Sequence, residues 1–87
     1  MAYLLVRHTV ADYAQWKPVY DAHAPVRAEA GLSEVHRLRS IDNPNEVVIL
    51  FAADDVEKAR AFSASPDLKE TMQKAGVIDK PDLYFLN

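Results

Sequence analysis

The side chains able to do chemistry lie mostly on one stripe. Tyr13, Trp16, Tyr20, His23 and Arg27 follow one another at steps of three and four residues, the spacing that gathers side chains on one face of a helix. Tryptophan and tyrosine offer flat faces on which an aromatic molecule can stack. A histidine among them can serve as a general base, because its unperturbed pKa of about 6.5 leaves much of it neutral near pH 7. An arginine can hold a carboxylate or an enolate oxygen. His23 is therefore the candidate catalytic base, with Trp16 and Tyr20 as walls of a substrate pocket. His8 is the candidate residue at its mouth, and Arg7 or Arg37 the candidate anion clamp. Each of these has a structural alternative. Aromatic stripes pack cores, His8 ends a strand, and His23 can be a satisfied or half-exposed structural histidine. His36 keeps company with Arg37 and Arg39, the charge-rich composition by which edge strands avoid unwanted pairing.

Other chemistries are poorly served. The chain has no cysteine, so thiol nucleophiles, disulfides and cysteine-based metal centres are excluded. Its three histidines lie far apart, without a local ligand motif such as His-Glu-x-x-His, and no metal is expected. Two glycines among 87 residues leave no phosphate-cradling loop, so no nucleotide cofactor is expected, nor any other. Ten basic residues against 13 acidic ones give a net charge of −3, which does not favour nucleic acid or anionic lipid as a partner. No apolar run reaches the roughly 18 residues of a membrane span. Met1 to Arg7 lacks a basic segment followed by a long apolar core, so a cytoplasmic location is expected.

The elements that must position the stripe can be read in order. Tyr3 to His8 is apolar and suits a strand. Asp12 is a plausible N-cap for a helix beginning at Tyr13. Pro18 and Pro25 interrupt that helix; the expectation is a short first turn, a main helix from about Pro18 and a bend near Pro25, closed by Gly31. Glu34 to Ser40 alternates as a second strand. Asp42-Asn43-Pro44-Asn45 is a turn, and Glu46 to Ala53 is a third strand that completes a hairpin. Asp54 or Asp55 caps a helix over Val56 to Ser63, with Glu57, Lys58 and Arg60 on its exposed side. Ser65-Pro66-Asp67 restarts a helical piece with Leu68, Met72 and Ala75 inward, ended by Gly76. Asp82 to Leu86 is the last strand. The result is one α+β domain over residues 1–87, β-α-β-β-α-β with a split second helix, which is the ferredoxin-like arrangement.

Its strands predict an assembly. A sheet with helices on one face should alternate apolar and polar residues. Val47-Val48-Ile49-Leu50-Phe51 does not, and neither does Leu4-Leu5-Val6. Both faces of the sheet's centre then need cover, and a second copy of the sheet supplies it. A homodimer through sheet faces is expected.

At this level the chain resembles the dimeric α+β barrel superfamily, and within it the antibiotic-biosynthesis monooxygenase-like domains. The likeness is carried by Tyr3 to His8, Asp12-Tyr13 through Trp16-Lys17-Pro18, and Asn43 through Phe51. It continues in Lys58 to Phe62, Ser65 to Leu68 and Ala75-Gly76-Val77. The resemblance implies a small dimeric barrel with a pocket between sheet and helices. It further implies a cofactor-independent monooxygenase-like enzyme on a small aromatic or enolisable molecule. A non-catalytic small-molecule binder or sensor, or a cyclase or isomerase, is the alternative on the same fold. Haem degradation is not implied: the first strand has no asparagine, and residues 54–87 have neither Trp nor His.

Overall fold

The computed structural model describes residues 1–87. Its elements run β1 (Ala2–Thr9), α1 (Tyr13–Ala22), α2 (Ala24–Glu29), β2 (Leu32–Arg39), β3 (Glu46–Ala53), α3 (Val56–Ser63), α4 (Pro66–Lys74) and β4 (Asp82–Leu86). The sheet order is β2-β3-β1-β4, with every neighbouring pair antiparallel. That is the expected ferredoxin-like topology, with both helical connections in two pieces. No helix is long and apolar enough to cross a membrane.

Alternation along the central strands decides what faces the helices. Leu4, Val6 and His8 of β1 stand opposite Phe51, Ile49 and Val47 of β3, and all six are buried. They meet Trp16 and Tyr20 of α1, Ala59 of α3 and Ala75 after α4, so the helices cover this face. The intervening residues Tyr3, Leu5, Val48 and Leu50 project to the other face and are half-buried. Around them Leu38, Tyr84 and Leu86 are 57%, 54% and 44% exposed. The open face is thus apolar but uncovered within one chain. Both edges are short or charged: β4 has five residues, and β2 carries His36, Arg37 and Arg39 with a bulge between Glu34 and His36.

The first helix corrects the sequence expectation. It does not wait for Pro18 but runs from Tyr13 through it. Two side chains fasten its first turn. Asp12 accepts the Ala14 N–H at 2.9 Å, and Asn45, from the turn before β3, accepts the Tyr13 N–H at 3.1 Å. These satisfy donors that a helix start otherwise leaves free. Pro18 and Ala14 both face solvent, so water can bond the Ala14 carbonyl that proline leaves without a donor. The break comes instead at His23, which caps the C-terminus of α1 and precedes α2. Pro25 stands at the start of α2, where its missing N–H costs nothing. Had α1 continued, the Pro25 ring would have met the Asp21 carbonyl. Gly31 then ends α2 with a φ of 75°, as a left-handed cap requires.

The second connection splits for a plainer reason. Asp55 caps α3 through the N–H groups of Glu57 and Lys58. Ser65 caps α4 through Leu68, with Pro66 as its first residue. A serine cap followed by proline starts a new helix rather than extending the old one. α4 buries no residue fully. Its inward side chains Leu68 and Met72 border a cavity rather than a filled core.

Candidate functional site

The cavity lies between the helices and the buried face of the sheet. It measures about 560 Å³ counted out to its mouth, with room for whole water molecules of about 60 Å³. The first figure includes open solvent at the mouth; the second describes a narrow slot that holds a few waters, well below the roughly 300–1,000 Å³ of drug-sized ligand sites. Its floor is Leu4, Val6, Ile49 and Phe51, with Leu83 from β4. Trp16, Val19 and Tyr20 form one wall, and Phe62, Leu68 and Met72 the other. Polar lining is sparse: His8, His23, Arg27, Ser63 and Thr71, along with Tyr20.

His8 is the singular group. Its side chain is 3% exposed, and neither ring nitrogen has a hydrogen-bond partner. Trp16 meets it edge-on at 5.7 Å between ring centroids. Burial disfavours the imidazolium, and the nearby Arg7 charge acts in the same direction. Together they outweigh the Asp79 carboxylate and hold the His8 pKa below its ordinary value. At neutral pH His8 is therefore a neutral imidazole, with one donor and one acceptor buried without a partner.

Trp16 and Tyr20 serve core and cavity together. They are 2% and 9% exposed, stack on each other at 4.6 Å, and both line the slot. The Tyr20 hydroxyl donates a hydrogen bond to Glu34 at 2.7 Å. Burial and that bond push its pKa well above the usual phenol value, so Tyr20 is a protonated donor already engaged. His23 sits at the rim. Its side chain is 12% exposed, its ring lies 5.9 Å from Phe62, and Nε2 is 3.5 Å from the exposed carboxylate of Asp67 on α4.

The two expected anion clamps lie elsewhere. Arg7 adjoins His8 in a strand and so projects from the opposite face. There it pairs with Asp82 at 2.7 Å, Glu46 at 3.0 Å and Asp79 at 3.2 Å. Hydrogen bonds to Asp82, Asp79 and Glu46 hold its guanidinium firmly protonated. Arg37 stands beside Ile49 on the helix side but outside the cavity, 3.5 Å from Asp21 and 3.6 Å from Glu34. His36 is exposed on edge strand β2. The arginine that does line the cavity is Arg27, the last member of the aromatic stripe. Its spacing from Tyr20 and His23 was the available signal. Arg7 and Arg37 are expected in the cavity from sequence only because strands that are apolar on both sides conceal which residues face the helices.

Comparison with known proteins bears on the fold. No family model matches the chain, and no curated protein matches it in sequence. Solved structures do. A Bordetella bronchiseptica protein assigned as an antibiotic biosynthesis monooxygenase superposes with a TM-score of 0.79 at 17% identity, covering 99% of this chain and 94% of that one. A Caulobacter crescentus protein with the same assignment gives 0.72 at 16% identity, covering 98% and 86%. SnoaB, a cofactor-independent oxygenase from Streptomyces nogalater, gives 0.70 at 22% identity, covering 95% and 89%. The chain therefore has the ferredoxin-like fold of the antibiotic biosynthesis monooxygenase-like proteins.

Proposed function

We propose that the chain is a homodimeric, cofactor-independent oxygenase acting on a small, flat, aromatic or enolisable molecule, with His8 as the base. The observation that carries this reading is the buried imidazole of His8, with both nitrogens unpartnered at the wall of an apolar slot. A core histidine normally finds partners, because an unmet buried donor or acceptor costs about 1–3 kcal/mol. A substrate hydroxyl or acidic C–H is a partner of the right kind. Neutral His8 takes that proton, and the water-poor slot limits competing proton exchange. Dioxygen is the oxidant. A substrate methylene and O2 give a carbonyl and water, the four electrons leaving carbon matching the four that reduce O2. His8 returns its proton to the departing oxygen. SnoaB, which shares the fold, is a cofactor-independent oxygenase, and that supports the assignment of class.

His23 is the second candidate base, because it lines the same cavity and faces Asp67 at 3.5 Å. The dimer is supported by the apolar open face of Tyr3, Leu5, Val48 and Leu50, which a second copy covers without touching the cavity on the opposite face.

The test is an oxygen electrode survey of small phenols and enolisable aromatic ketones, run with wild type and His8→Phe. Oxygen uptake that depends on His8, with one atom of 18O2 in product and one in water, supports the oxygenase. Binding without uptake leaves a small-molecule binder. Uptake that survives His8→Phe and fails in His23→Ala moves the base to His23.

A further inference from the structure

We propose that the molecule this pocket takes is an anion: a flat, largely apolar body bearing one anionic oxygen group, its apolar part toward His8 and its charge on Arg27. This rests on the pocket reading above and adds the ligand's charge to it.

Arg27 has a use in the fold, but that use consumes little of it. One Nη1–H donates to the Tyr20 carbonyl at 2.7 Å, which also accepts the His23 N–H at 3.2 Å. The guanidinium carbon Cζ lies 3.7 Å from the centroid of the Tyr20 ring, which in turn stacks on Trp16. Arginine carries five N–H donors, and Arg27 makes no other protein hydrogen bond. No carboxylate comes within ion-pair distance of it. Burial opposes its charge, yet a guanidinium stays protonated at any physiological pH.

Nearby charges do not supply the missing partner. Glu34 accepts the Tyr20 hydroxyl at 2.7 Å and lies 3.6 Å from Arg37. Asp21 is held by Lys17 at 2.7 Å and by Arg37 at 3.5 Å. Asp67, the remaining acid at the rim, is 72% exposed and faces His23. Three cations thus share two carboxylates beside Tyr20, and the unpaired one, Arg27, is the one lining the slot. A half-buried cation without a counter-charge attracts an anion that can be desolvated beside it. The geometry also orients the ligand. Arg27 lies over Tyr20 and His8 meets Trp16 at 5.7 Å, at the two ends of the Trp16–Tyr20 pair, so a body in the slot beside these rings has charge at one end and imidazole at the other.

The chain's single tryptophan gives one indole N–H cross-peak in a 15N spectrum, and it reports from the cavity wall. Benzoate and its neutral isostere benzamide are titrated at pH 7.5 into wild type, Arg27→Gln and Arg27→Lys, each checked for fold by circular dichroism. The expected result is movement of the Trp16 peak by both, with benzoate binding about tenfold tighter or more. Arg27→Gln abolishes that preference and Arg27→Lys keeps most of it. Equal binding of benzoate and benzamide, or a preference that survives Arg27→Gln, overturns the charge inference while the pocket stands. No movement with either ligand at millimolar concentration overturns the pocket reading and this inference with it.

Discussion

Replacing His8 with leucine should make the protein more stable while removing its chemistry. Leucine has nearly the volume of histidine and no polar atom, so His8→Leu removes an unmet donor and acceptor without opening a large cavity. Such groups cost about 1–3 kcal/mol when buried. In a domain of this size each kcal/mol is worth about 4–8 °C in Tm. The variant should therefore melt at least about 4 °C above wild type at pH 7.5. A second arm uses pH. Burial, the largest cause, holds the His8 pKa in the fold below its unfolded value of about 6.5. On acidification the unfolded chain takes up the proton first, so stability present above pH 6.5 is lost below it. The loss is at most about 1.4 kcal/mol per pH unit. His8→Leu lacks this loss, and its advantage over wild type should widen between pH 7.5 and 5.5. Thermal denaturation by circular dichroism at one fixed protein concentration measures both arms. A lower Tm for the variant, or an advantage that does not change with pH, would mean that His8 is satisfied in solution. The carrying observation of the proposed function would then be lost.

Other substitutions probe other parts of the molecule. Leu50→Asp should convert the proposed dimer to a folded monomer by light scattering, because it sets an unpaired carboxylate in the centre of the open sheet face; a normal dimer would refute sheet-to-sheet assembly. Arg7→Met should lower Tm at low salt by leaving Asp82, Glu46 and Asp79 to repel one another. The loss should shrink in about 1 M salt, where screening reaches about 3 Å, and a salt-independent loss would assign Arg7 a packing role instead. His23→Ala should keep the dimer, since its φ of −88° and ψ of 2° suit alanine, and cost about 1 kcal/mol for the lost Phe62 contact. Unfolding of that variant would make His23 structural and remove it as a candidate base.

Much of the fold was legible because strong local signals coincide with the tertiary ones. The run Val47 to Phe51, bounded by Asn43-Pro44-Asn45, is a strand on any reading, and β3 occupies Glu46–Ala53 as expected. The start of α1 was legible only in part. Asp12 is visible as a cap, but the hydrogen bond that lets the helix cross Pro18 with its first turn fastened comes from Asn45, 32 residues away. The cavity was less legible still. Leu68 and Met72 read as inward core residues, and whether they fill a space or border one depends on how closely α4 approaches the sheet. No local pattern encodes that distance.

The anion clamp shows where such reading fails and why the fold nevertheless does not. Arg7 and His8 are neighbours in a strand, so they must occupy opposite faces, yet Leu4-Leu5-Val6 is apolar on both sides and leaves the choice open. A slip of one residue in β1 would turn Arg7 into the cavity and His8 out of it. Hydrophobic matching alone resists that slip weakly, since leucine and valine would exchange places with leucine and tyrosine. What resists it is charge. Glu46 at the start of β3, Asp79 in the chain before β4 and Asp82 at the start of β4 converge on the Arg7 guanidinium, and Asp79 also accepts the Thr9 N–H at 2.8 Å. In the slipped register all three carboxylates would lose their cation, and that cation would enter the apolar slot. The cluster on the open face thus holds β1 in the one register that delivers His8 to the cavity. The residue misassigned as a substrate clamp acts on the site from the far side of the sheet, by fixing which neighbour points in.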